Sequence, residues 1–159
     1  MSSGPELAPG PRGPLLSPTF WLHHAALAVV QEAEARLRPI GLTYPQFSLL
    51  GAVSWLVQQG GPPTQQDVAR FSGADRMMTS KVLRALEARG LVTREPDPDD
   101  GRAVRLRLTR AGQAAVHRAV RVVAEVDAEF FGVGPPRERV LAELRALAER
   151  RRRASPSKA

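Results

Sequence analysis

The middle of the chain admits only short elements, and in one order. Breaks at Gly60-Gly61-Pro62-Pro63, Ser72-Gly73-Ala74, Gly90 and the Pro96–Gly101 stretch divide it, because Gly and Pro interrupt helix and strand more strongly than any other residues. Thr64-Gln65-Gln66-Asp67 has the form of a helix start, followed by the apolar positions Val68, Ala69 and Phe71. Asp75 can cap a second helix that runs to about Arg89 and stops at Gly90. Leu91–Glu95 and Ala103–Leu108 then read as strands joined by the Pro96–Gly101 turn. In the later strand Val104, Leu106 and Leu108 share one face, and Arg105 and Arg107 the other.

The flanks are helical. Residues 1–17 hold Pro5, Pro9, Pro11 and Pro14 among Gly and Ser, the composition of a flexible arm. Pro18 can open a helix over about 19–38, with Phe20, Leu22, Leu27, Val30 and Leu37 as its apolar residues. Thr43-Tyr44-Pro45-Gln46 has the form of a capping box and begins a helix to about Gln58. That helix is expected to bury Phe47, Leu50 and Val53, with Trp55 a further candidate. Thr109 can cap a long helix to about Phe131, and Pro135-Pro136 opens a last one to about Arg152, before a tail over 153–159.

Helix, tight turn, helix and hairpin make a winged helix-turn-helix, so the expected class is mainly α with a small β-hairpin wing. In such a unit one helix enters the major groove, where base edges are distinguishable, and the preceding helix braces it. Composition narrows the alternatives. The 159 residues include no cysteine, which removes disulfides, thiol nucleophiles, Cys-ligated zinc and cysteine redox sensing. His23, His24 and His117 have no metal-ligand spacing, and no Gly-rich phosphate loop occurs, so neither an enzyme nor a cofactor or metal is expected. No apolar run approaches the ~18 residues of a membrane span, and the N-terminus lacks a basic-then-apolar leader pattern, so a soluble cytoplasmic protein is expected.

The net charge of +7 is unevenly placed. Residues 64–112 carry ten basic and seven acidic groups, whereas residues 145–159 carry six against one, largely through Arg150-Arg151-Arg152-Arg153. A short basic tail is ordinarily a solvated one, so the position of charge within the helix-turn-helix is the more informative. Thr79, Val82, Leu83 and Leu86 recur at core spacing on the second helix. Arg76, Met77, Ser80, Lys81 and Arg84 then point outward, with Met78 at the boundary. Arg and Lys donate to guanine edges, Ser serves several edges, and Met can rest on a thymine methyl. An ordinary amphipathic surface helix would account for the charges but not for exposed methionines. In the turn, Asp97, Asp99 and Asp100 surround Arg102; Asp100 is expected to pair with or orient Arg102, leaving its guanidinium for the minor groove.

Leu42–Gly112 resembles the MarR (multiple antibiotic resistance regulator) family of bacterial transcription factors. The matching text is Leu42-Thr43-Tyr44-Pro45-Gln46-Phe47, then Asp75 through Leu86-Glu87-Ala88-Arg89-Gly90-Leu91-Val92, then Arg94, Asp100-Gly101-Arg102 and Leu108-Thr109-Arg110-Ala111-Gly112. The resemblance implies a homodimer on double-stranded DNA, joined through helices at 18–41 and 113–152 around a DNA-binding core at 42–112. It implies groove contacts from Arg76, Met77, Met78, Ser80 and Lys81 and a wing contact from Arg102; Thr64 and Arg84 complete the expected DNA-facing set. Family members often carry two basic residues at the wing tip, and Gly101 stands in place of one. The resemblance also implies a ligand-released repressor on a pseudo-palindromic operator, with a small aromatic or phenolic effector. The effector candidates are Trp21, His23, His24, Phe47, Trp55 and His117, although aromatics at helical spacing are more often core. The competing reading is a winged-helix module used only for protein contacts.

Overall fold

The computed structural model describes residues 14–98 and 100–154. Most of the arm expected over 1–17, most of the tail over 153–159, Asp99 and the side chains of Arg151–Arg153 lie outside the described residues. The last residues of the expected arm are ordered: Pro14–Leu16 form a 3₁₀ turn, Trp21 Nε1–H donates to the Leu15 carbonyl at 2.7 Å, and Ser17 caps the first helix.

Six helices and one hairpin follow among the described residues, in the order α1 (Pro18–Leu37), α2 (Tyr44–Gly60), α3 (Gln65–Ser72), α4 (Arg76–Ala88), β1 (Val92–Pro96), β2 (Val104–Leu108), α5 (Arg110–Phe131) and α6 (Pro135–Ala154). Their starts are set by local chemistry. Thr43 with Gln46 and Thr64 with Asp67 form reciprocal capping boxes, and Asp75 accepts from the backbone N–H groups of Met77 and Met78. Each cap satisfies donors that a helix N-terminus otherwise leaves open. Gly73 at φ 68° and Gly90 at φ 67° end α3 and precede β1 in the left-handed region that favours glycine. Boundaries differ from expectation by a residue or two: α2 extends to Gly60, α6 to Ala154, and the first strand begins and ends one residue later.

The core lies where α2 crosses the helix-turn-helix. Leu49, Leu50 and Val53 of α2, Val68 of α3, Leu83 and Leu86 of α4, Val92 of β1 and Leu106 of β2 are all buried together with Ala115, Val116 and Ala119 of α5. The hairpin is tied to this core twice. β1 pairs antiparallel with β2 from Val92↔Leu108 to Pro96↔Val104, and Leu106 N–H donates to the Pro63 carbonyl at 2.9 Å, just ahead of α3. The wing is therefore anchored to the mouth of α3 as well as to the end of α4.

Several apolar residues of the expected helices are exposed, Trp55 among them a candidate for burial. Trp55 is 51% exposed, and Phe71, Leu22 and Leu27 are also exposed. Within α1 full burial is confined to Ala33 and Leu37, near the end where Arg36 bonds Glu129 of α5. α6 likewise leaves Leu141, Leu144 and Leu147 open. One buried polar group goes the other way: Thr79 is fully buried and its Oγ1 has no hydrogen-bond partner. An orphaned hydroxyl costs about 1–3 kcal/mol, so Thr79→Val, nearly equal in shape, should stabilise the fold by about 1 kcal/mol. Urea unfolding midpoints would read the gain, and a loss would mean that the hydroxyl is satisfied in solution.

Candidate nucleic-acid interface

α4 presents the residues that the sequence assigns outward. Arg76, Met77, Met78, Ser80, Lys81 and Arg84, with Gln65 of α3, line an open cavity of about 880 Å³. Met77 is 81% exposed and Met78 42%. Arg84 is folded back along the helix: its Nε–H donates to the Ser80 carbonyl at 3.2 Å and its Nη2–H to Ser80 Oγ at 3.0 Å. Arg76 and Lys81 form no ion pair among the described residues. Their charge is open to an anionic partner.

A second groove of about 510 Å³ runs between α4, the mouth of α3 and the wing, lined among others by Thr64, Gln65, Arg76, Ser80, Arg94 and Arg102. Thr64 is committed to capping. Its hydroxyl donates to Asp67 Oδ2 at 2.7 Å and accepts from Asp67 N–H at 3.2 Å, and the hydroxyl bond holds the Asp67 carboxyl below its ordinary range. Gln65 and Arg94 belong to the groove without having been singled out from the sequence. Arg94 Nη2–H donates to Gln65 Oε1 at 3.3 Å, and its Nη1 lies 3.8 Å from Glu87 of α4. Their signal was available: Gln65 follows the cap residue, and Arg94 is the one cation on the strand face that Val92 and Pro96 share.

The acidic wing is resolved by geometry. Asp97 is only 7% exposed, and the Arg105 guanidinium grips it with two bonds of 2.9 and 3.2 Å. Asp100 accepts from the backbone N–H of Arg102 at 3.0 Å, while its own carbonyl accepts from Ala103 N–H at 2.8 Å. Asp100 thus orients Arg102 through the main chain, and no ion pair among the described residues takes the Arg102 guanidinium. The carboxylates shape the turn; the cation remains at the tip. Basic residues from α4, β1 and the wing tip therefore share a concave face of the kind that follows a phosphate backbone.

The effector candidates Trp21, His24, Phe47 and Trp55 stand outside both of these cavities. His24 Nδ1 bonds the Phe20 carbonyl at 2.8 Å while its ring stacks on Phe20 at 3.9 Å, and Phe47 packs half-buried against the core. Trp21 and Trp55 are exposed, and His23 and His117 likewise. Below the DNA-facing unit, Arg36 of α1 joins α5 through bonds of 2.7 and 2.5 Å to Glu129 and also holds Glu32 at 2.6 Å. The Arg36 bond keeps the Glu129 carboxyl below its usual range. Nearby, burial and then the Asp127 charge push the Tyr44 phenol up, and Tyr44 N–H donates to Glu34.

Comparison with known proteins identifies the frame. The MarR family model matches residues 42–104. The HTH-type transcriptional regulator YdcH of Bacillus subtilis is 35% identical over 135 residues, covering 85% of this chain and 92% of the relative. The chain belongs to the MarR family. Within that family, the structure of the Mycobacterium tuberculosis regulator MosR in complex with DNA is 31% identical, has a TM-score of 0.65, and covers 86% of this chain and 98% of its own. The structure of Bordetella bronchiseptica BpsR, whose DNA binding is regulated by 6-hydroxynicotinic acid, is 26% identical with a TM-score of 0.76, covering 87% and 98%. The chain is accordingly a winged helix-turn-helix DNA-binding transcriptional regulator, with α4 in the place of the recognition helix and the β1–β2 hairpin as its wing. No single helix among the described residues is long and apolar enough to cross a membrane.

Proposed function

We propose that this MarR-family regulator is a homodimeric repressor that binds a pseudo-palindromic duplex and is released by a small aromatic or phenolic molecule. One observation carries the DNA-facing part: Arg76, Lys81 and Arg102 lie on one concave face with no ion pair among the described residues, beside the exposed thioether of Met77. Side chains of α4 meet base edges in the major groove, Arg102 enters the adjacent minor groove, and the capped N-terminus of α3, with Thr64, abuts a phosphate. Ser80 and Arg84 act as a bonded pair within that face.

The dimer reading rests on the apolar residues that one chain leaves open. Trp21, Leu22 and Leu27 around α1 and Leu141, Leu144 and Leu147 along one side of α6 are all exposed, and a monomer rarely displays so much apolar surface on two helices. A twofold dimer places its α4 helices in successive major grooves, so half-sites fall about 10–10.5 bp apart. A protein seated across both half-sites excludes other proteins from that duplex, which is the basis of repression. The ligand-release reading rests on the BpsR precedent, with Trp21, His24, Phe47 and Trp55 meeting the partner's surface only after dimerisation. The chain works by binding rather than catalysis, in the cytoplasm.

Selection of bound duplexes from a random pool tests the reading, followed by salt titration on the winner and a scrambled control. The expected result is an enriched inverted repeat with a steep salt dependence. Arg102→Ala should weaken binding to both duplexes and reduce the salt slope by about one. An unchanged slope would remove the wing from the interface. No enrichment, with weak binding only at low salt, would favour a winged-helix module for protein contacts.

A further inference from the structure

Among the described residues sulfur is confined to one place. The sequence contains no cysteine and three methionines, Met1, Met77 and Met78. Met1 lies outside the described residues, so both described thioethers stand on the outer face of α4. Met77 is the most exposed large apolar side chain among the described residues, at 81%. Arg76, Lys81 and Arg84 of the same helix line the open cavity with it, a setting that attracts anions. A thioether so placed is open to oxidants while the protein is free, and is covered once α4 lies in a groove.

We propose that Met77, with Met78 beside it, is an oxidation site that disarms the DNA-reading face. The inference rests on the DNA-binding role of α4 proposed above. The oxidant class is the two-electron oxygen donors, of which hypochlorous acid is the simplest. The sulfur lone pair attacks the oxygen of HOCl, an S–O bond forms and the O–Cl bond breaks. Sulfur loses two electrons, chloride leaves with them, and the hydroxyl proton passes to water, giving the sulfoxide. The product is polar, chiral and carries a strong acceptor oxygen. An apolar surface suited to a thymine methyl becomes one that repels the acceptor edges of bases and the phosphates beside them. Because oxidation reaches the free protein faster than the bound, it would act mainly by preventing rebinding rather than by stripping bound protein from DNA. Enzymatic reduction of the sulfoxide reverses it.

The test uses the full chain and its selected duplex. One to two equivalents of hypochlorous acid are added to free protein, the sulfoxide is located by peptide mass spectrometry, and affinity is measured by fluorescence anisotropy. Oxidation at Met77 should weaken binding by on the order of tenfold, and treatment with the two methionine sulfoxide reductases should restore it. A Met77→Leu/Met78→Leu variant, whatever its starting affinity, should show no change on the same treatment. Protein already on the duplex should acquire the sulfoxide more slowly. Undiminished affinity of protein carrying the Met77 sulfoxide overturns the proposal, as does an equal loss in the double-leucine variant. Those outcomes leave the DNA-binding reading standing, whereas untreated protein that enriches no duplex removes both.

Discussion

Replacing Arg76 and Lys81 together with alanine should lower affinity for the selected duplex by on the order of 10–10⁴-fold while leaving the fold as stable as before or slightly more so. Each cation is worth roughly 1–3 kcal/mol when it meets a base edge, at 1.4 kcal/mol per decade of affinity. Neither has an ion-pair partner among the described residues that would compete for it, so the free protein has little to lose with them. Arg76 stands at the first position of α4, where the helix dipole disfavours a positive charge. Fold stability alone would not choose arginine there; an anionic partner would. Arg84 is different, because its bonds to Ser80 give it a place in the free protein. Anisotropy across a salt series should show the slope reduced by about two if both residues contact phosphate, and by less if one reads a base. A thermal melt on the same samples separates lost contacts from lost folding. Specific binding that survives the double change would mean that another surface reads the DNA.

What the sequence disclosed follows from how local each signal is. Thr43 with Gln46, Thr64 with Asp67, and Asp75 act within a single turn of helix, so the starts of α2, α3 and α4 were legible from residue order. The outward face of α4 was legible for the same reason, since Thr79, Leu83 and Leu86 fix the opposite face. Asp97 and Asp100 look alike in the sequence, yet their roles differ because of strand pairing. Arg105 stands opposite Glu95 in the register but reaches Asp97, two residues further along, and Arg107, opposite Thr93, reaches Glu95 in the same diagonal sense. That choice depends on the twist of the hairpin and on which carboxylate is buried. Trp55, a candidate for burial that is exposed, went unread for another reason. Apolar periodicity records that a face is to be covered, without saying whether the same chain covers it. Trp21, His24, Phe47 and Trp55 stand outside the two cavities on the DNA-facing side, so that side says nothing of their role.

Gly112→Ala should destabilise the protein by about 3 kcal/mol, although helix propensity alone would have alanine gain about 1 kcal/mol. Gly112 is the third residue of α5, and its N–H donates to Thr109 Oγ1 at 3.0 Å. The same hydroxyl donates to the Gly90 carbonyl at 2.7 Å, and Thr109 N–H donates to the Leu91 carbonyl at 3.1 Å. These bonds press the start of α5 against the junction of α4 and β1. A Cβ on Gly112 would lie 1.9 Å from the Leu91 carbonyl oxygen and 2.9 Å from its carbon, so backbone has to move, not the end of a flexible side chain. The constraint is space and not conformation, since Gly112 is absent from the glycines of positive φ. Gly51→Ala supplies the opposite case: it lies inside α2, where a Cβ would meet nothing within 4 Å, and should be stabilising by up to about 1 kcal/mol. At roughly 2–4 °C per kcal/mol for a chain of this size, thermal melts should move down for Gly112→Ala and up for Gly51→Ala. The same displacement would shift α5, which joins the DNA-facing unit to the remaining helices, so the Gly112 variant should also lose operator affinity well below its melting point. A rise in both melting temperatures would mean that α5 slides away from Leu91 at no cost, and that the junction does not fix the angle of the recognition helix.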